Sequence, residues 1–105
     1  MTKEHILQNQ IRLALSETCM VFRVNVGKGY TPDGRYFDTG VPVGFSDLFG
    51  HRKSDGRAFY IEVKTPDGRV RRDQEKFIKA MKENGAIAGI ARSVEEAIKI
   101  IKEEL

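Results

Sequence analysis

The segment from Ala58 to Ala91 most constrains how this chain can fold. It opens with "AFYIEVK", an alternation that puts Phe59, Ile61 and Val63 on one side of a strand and Glu62 and Lys64 on the other. Pro66-Asp67-Gly68 breaks the pattern. Residues Arg71 to Asn84 then repeat at helical spacing, with Gln74, Phe77, Ile78 and Met81 on one stripe and Gly85 as the residue that ends the helix. Ala86 to Ala91 is a short apolar run of strand length, expected to be buried. A strand, a helix and a second apolar strand in that order predict a parallel crossover, and hence a sheet with a helix on its face.

The preceding residues extend the sheet. Phe45 to Arg52 and Arg57 to Thr65 read as two strands of a hairpin around Ser54-Asp55-Gly56. Met20 to Val26 alternates as a further strand, with Phe22, Val24 and Val26 on one face. A helix from Lys3 to about Glu17 carries Leu7, Ile11, Ala14 and Leu15 on one stripe, with Thr2 as its cap. Ser93-Val94-Glu95-Glu96 is a capping box that opens a last helix, with Val94, Ala97, Ile98, Ile101 and Leu105 inward. Residues Gly27 to Gly44, with five glycines and two prolines, read as one long loop. The expected order is α-β-β-β-α-β-α, a mixed sheet flanked by helices in an α/β chain, taken as one domain over residues 1–105.

Composition removes several classes of function. Cys19 is the only cysteine, so no intrachain disulfide forms, and its apolar neighbours place it in the core. His5 and His51 have no cysteine or second histidine at metal spacing, which argues against zinc. No apolar run approaches ~18 residues and the N-terminus is polar, so the expectation is a cytoplasmic protein without signal peptide or membrane span. A net charge of +3 and a pI of about 9.1 are compatible with a polyanionic partner.

The hairpin collects the chemistry. With Asp55-Gly56 at the centre of a two-residue turn, Asp47 lies opposite Lys64, Leu48 opposite Val63, and Glu62 is the diagonal neighbour of Asp47. One face then gathers Asp47, Glu62 and Lys64. Two carboxylates at that spacing can share a hard divalent cation, and a lysine beside them can hold a water or offset charge on a phosphate. Two more polar residues interrupt apolar stripes: Glu4 on the first helix and Gln74 on the second.

Asp47 followed by Glu62-Val63-Lys64 resembles the catalytic signature of the PD-(D/E)XK nuclease superfamily, and the element order resembles its restriction-endonuclease-like core. Val70-Arg71-Arg72, with Gln74 two residues on, is similar to the triplet that names the VRR-NUC subfamily, and Glu4 matches that family's additional acid. One departure is Ser46, which stands where the superfamily name has proline. The resemblance implies a Mg2+- or Mn2+-dependent deoxyribonuclease. It implies metal ligation by Asp47, Glu62, Glu4 and the Val63 carbonyl, action of Lys64 on the attacking water, and orientation of site or substrate by Gln74.

Arg69, Arg71 and Arg72 open a helix, where free N–H groups already favour phosphate, and Lys28, Arg35, Arg52 and Lys53 add charge for DNA. Phe37, Val41, Val43 and Phe45 in and beside the loop, with Ile100 on the last helix, are apolar residues in excess of one small core. They suggest a homodimer, and with it a branched substrate such as a four-way (Holliday) junction. The competing readings are a flap- or nick-directed nuclease and a nucleic-acid-binding module that keeps the fold without catalysis.

Overall fold

The computed structural model describes residues 1–25 and 28–105. The elements are α1 (Lys3–Leu15), β1 (Cys19–Arg23), β2 (Lys28–Tyr30), β3 (Tyr36–Asp38), β4 (Leu48–Arg52), β5 (Ala58–Val63), α2 (Arg72–Glu83), β6 (Ile87–Ala91) and α3 (Val94–Ile101). Strands β1, β4, β5 and β6 form one mixed sheet in that order. β1–β4 and β4–β5 pair antiparallel, and β5 and β6 are parallel, joined across α2. The expected mixed sheet with flanking helices is therefore present. The strand expected over Met20–Val26 spans Cys19–Arg23 instead. Its pairing continues one residue through the Val24 N–H to the Asp47 carbonyl at 3.2 Å, and Val26 lies outside the described residues.

Each face of the sheet has its own filling. On one, Ile11 and Leu15 of α1 and Ala97, Ile100 and Ile101 of α3 close over Cys19, Leu48, Phe59, Ile61 and Val63. On the other, Phe45, Phe49, Tyr60 and Phe77 form a chain of ring contacts that seats α2, with Phe22 against Phe49 at 5.5 Å. Ile100 is buried, and a Cβ on Gly89 would lie 2.8 Å from its Cδ1, so the strand passes directly beneath it. Ile100 is thus an interior residue, and Phe45 is half-buried among the rings under α2, so neither is the surplus surface its sequence context suggested. Leu105, expected inward, is exposed because α3 ends at Ile101 and Glu103, at φ 59°, turns the chain away.

Two other expectations change. Residues Gly27 to Gly44 are not a plain loop: β2 and β3 pair within them as a separate two-stranded ribbon, Tyr30 opposite Tyr36. The β4–β5 turn also has four residues rather than two. Arg52 and Arg57 close it, the Gly56 N–H bonds to the Arg52 carbonyl at 2.8 Å, and the Asp55 carboxylate accepts the Arg57 N–H at 3.0 Å. Leu48 consequently faces Ile61, not Val63. A slip of two residues leaves every side chain on its expected face, because the pleat repeats every two. It moves Asp47 from Lys64 to the position facing Glu62.

Candidate functional site

At the end of the β4–β5 hairpin the backbone ladder gives way to side chains. One residue beyond the Leu48–Ile61 pair, the Asp47 N–H donates to Glu62 Oε1 at 3.1 Å, and the Val63 N–H donates to Asp47 Oδ2 at 2.9 Å. Each carboxylate thus takes a backbone donor from the facing strand, which fixes the pair side by side. Glu62 Oε2 accepts from Gln74 Nε2 at 2.6 Å, and Lys64 Nζ lies 4.0 Å from the same oxygen.

Local structure explains how each group arrives. Gly44 has φ 93°, and a Cβ there would fall 2.4 Å from the Asp73 carbonyl oxygen, so the chain before Asp47 passes tight against the first turn of α2. Ser46 is fully buried, and its hydroxyl donates to the Leu48 carbonyl at 2.9 Å, a hydrogen bond that constrains the backbone on either side of Asp47. Gln74 sits in the first turn of α2. Its Oε1 accepts the Arg71 N–H at 3.0 Å, so its NH2 group is directed at Glu62. One amide thereby caps the helix and orients a carboxylate.

The electrostatics follow from burial and charge count. Glu62 is 2% exposed. Burial is the main cause of a pKa pushed up from 4.5 to about 8, the negative charge of Asp47 adds to it, and Lys64 opposes it. Two adjacent carboxylates face one ammonium, leaving a net demand for positive charge. Beyond the two backbone donors and Gln74, the four oxygens of the pair keep lone pairs to offer. This donor set suits a hard divalent cation. Among the described residues no group of three or more histidine, cysteine or acidic side chains clusters as a metal site, so a cation would rest on Asp47 and Glu62 and complete its shell with other oxygens.

A polar cleft of about 300 Å³ opens over the pair. Asp47, Glu62, Lys64, Gln74, Glu4 and Arg71 line it, which brings together six residues that sequence analysis singled out. At Val63, the contact present is the amide to Asp47. Arg69 and Arg72 are exposed on either side of Arg71, whose Nε lies 3.2 Å from Asp73. Lys28 and Arg35 are exposed on the β2–β3 ribbon, Arg35 beside Asp33.

Arg52 and Lys53 are not brought to the cleft. They sit at the opposite end of the hairpin, where Arg52 bonds Asp55 and the Ile101 carbonyl and Lys53 bonds the Ser16 carbonyl. Arg52 also holds the Asp55 carboxyl down at about 2. Four further residues line the cleft that the sequence did not mark: His5, Gln8, Arg23 and Asn25. Of these Gln8 had a usable signal. It lies one helical turn from Glu4 and from Ile11 on the inward stripe, and it is only 6% exposed.

A family model described as the VRR-NUC domain matches residues 33–95. A solved structure titled "VRR_NUC domain" superposes with a TM-score of 0.69 at 19% identity, covering 100% of both chains, which establishes likeness of fold. No curated protein sequence matches the chain significantly.

Proposed function

The chain belongs to the VRR-NUC family, whose domain implies a nuclease-type function, and from that premise we propose a Mg2+- or Mn2+-dependent deoxyribonuclease that hydrolyses phosphodiester bonds in branched DNA. The observation that carries this reading is the Asp47–Glu62 pair, Glu62 buried and Asp47 half-buried, held side by side by backbone N–H groups with Lys64 and Gln74 on one Glu62 oxygen. A binding surface has no need of an uncompensated buried acid. A hydrolytic site does, because a bound cation supplies the missing positive charge and presents it to a phosphate.

Asp47 and Glu62 would hold the cation, with Glu4 and the Val63 carbonyl as further oxygen donors. When bound, such an ion stabilises charge on the phosphate and lowers the pKa of water. The chain's own groups do the rest. Lys64 presents its ammonium to the negative charge that grows on the phosphate oxygens as water attacks phosphorus and the ester P–O bond breaks. Gln74 fixes the rotation of Glu62. Arg71, with the exposed Arg69 and Arg72 at the start of α2, offers cations and free helix N–H groups to the flanking phosphates. The proposed domain is residues 1–105 as one unit.

The finer reading is a homodimer that cuts four-way junctions. Phe37 and Val43 remain 45% and 68% exposed, enough to support a self-complementary contact. Two copies related by a two-fold axis would place two acid sites against a junction of matching symmetry. Labelled linear, flapped and four-way DNA should be incubated with magnesium, manganese or chelator, with light scattering alongside. Cleavage that requires a divalent cation, paired nicks in the junction, and a mass twice 11.9 kDa are expected. Cleavage in chelator refutes the metal-dependent chemistry. A monomer that prefers the flap refutes the dimer and the junction and leaves the chemistry standing.

A further inference from the structure

Nothing in the acid site uses the β2–β3 ribbon, yet the ribbon springs from that site. Arg23, Val24 and Asn25, which precede it, and Phe45 and Asp47, which follow it, all line the cleft. Its tip is closed by its own hydrogen bonds, Thr31 N–H to the Arg35 carbonyl at 2.7 Å and Gly34 N–H to the Thr31 carbonyl at 2.9 Å. One face carries Lys28, Tyr30, Tyr36 and Asp38, the two tyrosines directly opposed. Their rings meet edge to face at 5.6 Å and 69°. Tyr30 is 73% exposed and Tyr36 57%. Phe37 lies on the other face, over Gly29.

An open aromatic pair needs an occupant that gains from a flat ring. The ribbon's charges decide against phosphate, since Asp33 engages Arg35 and Asp38 stands opposite Lys28. Extended chain covers at most about 3.6 Å per residue, so Tyr30 lies within about 18 Å of Asn25 in the cleft wall. That is roughly five stacked base steps at ~3.4 Å each. Bases inside a duplex are already stacked on both sides and gain nothing from a tyrosine. A base released at a branch point gains about 5- to 150-fold in binding per ring.

We propose that the Tyr30–Tyr36 face is a stacking platform for an unpaired nucleobase of branched DNA, and that it supplies selectivity for branched over linear substrate. This rests on the reading that DNA occupies the acid cleft. Binding, unlike cleavage, tests it without reference to metal.

The probes are a flapped DNA carrying a fluorescent purine analogue in its single strand and a fully paired duplex of equal length, both in chelator. The parent is compared with Tyr30→Thr/Tyr36→Thr, which keeps strand-forming residues without rings, and with Tyr30→Phe/Tyr36→Phe, which keeps the rings. The parent and the phenylalanine variant are expected to quench the analogue and to prefer the flap. The threonine variant should lose about 10- to 100-fold in affinity for the flap and its quenching, with duplex affinity unchanged. A threonine variant that binds and quenches like the parent overturns the proposal. So does one that changes the protein's oligomeric state with flap binding intact, which would assign the face to a second copy. A parent that binds duplex and flap equally well overturns the platform alone, and one that binds neither overturns the nuclease reading with it.

Discussion

Raising the pH in the absence of divalent cations should destabilise this protein, and Glu62 should be the reason. Its carboxyl has a folded-state pKa of about 8 against 4.5 in the unfolded chain. A carboxyl whose pKa is raised by folding contributes stability that is complete below the unfolded value and is lost as pH climbs through the folded one. The window therefore opens near 4.5 and closes just above 8. At about 1.4 kcal/mol per pKa unit the whole displacement corresponds to about 5 kcal/mol, and relaxation with water entry around the pair reduces this to about 2–4 kcal/mol. That is a large share of the ~5–15 kcal/mol that holds a domain of this size together. Denaturant midpoints should be measured in chelator at constant ionic strength from pH 5 to 9, for the parent and for Glu62→Gln. The parent's midpoint should fall across the range, and the variant should lack that component because it cannot ionise. Magnesium at pH 8 should restore the parent's midpoint, since a ligand that binds only the folded state stabilises it. A midpoint that is level or rising with pH, or the same slope in Glu62→Gln, would refute the assignment of a strained acid pair.

Lys64→Ala should lower the cleavage rate by about 10²–10³-fold with the fold intact, measured by single-turnover cleavage beside circular dichroism. Arg71→Ala with Arg72→Ala should reduce the slope of log affinity against log salt by ~1–2, and an unchanged slope would show that these arginines do not touch phosphate. Gln8→Ala should impair cleavage more than stability, because Gln8 lines the cleft while its neighbour Ile11 holds the core. A loss confined to the denaturant midpoint would make it a packing residue. Leu48→Ala, at a site with no exposure, should cost about 2–5 kcal/mol in equilibrium unfolding.

The convergence of Asp47, Glu62, Lys64 and Gln74 on one cleft was legible because polar side chains stood out against apolar patterns. Glu62 interrupts an apolar strand, Gln74 begins an apolar helical stripe, and a pleat of period two keeps Asp47 on their side for a two-residue turn and a four-residue turn alike. The register was not legible, since Ser54-Asp55-Gly56 fits both a two-residue and a four-residue turn; the longer one is closed by the Gly56 N–H on the Arg52 carbonyl and by Asp55, which accepts from the Arg57 N–H and the Arg52 guanidinium. The ribbon was hidden by its glycines and prolines, which read as loop although Tyr30 and Tyr36 pair across it. Ile100 could not be placed from helical period, because what admits it to the core is a glycine on another element, Gly89. Arg52 and Lys53 read as free cations because their partners, the Ile101 and Ser16 carbonyls, are distant in sequence.

Arg92 follows β6, and its Nη1 donates to the carbonyls of Thr65 and Gly68 at 2.6 and 2.8 Å, with the Pro66 carbonyl at 3.3 Å. Those carbonyls belong to the turn between Lys64 and the arginines of α2. The Arg92 N–H in turn bonds Glu96 of α3 at 2.6 Å, and Ser93 caps that helix. The spacing between the lysine and the helix end is therefore set by a residue that touches neither. In hydrogen-exchange terms, the turn and the last helix should open as one cooperative unit. Fraying of α3 would then unlatch the cleft from behind, so that loss of the C-terminal helix would disable the site without removing any residue that lines it.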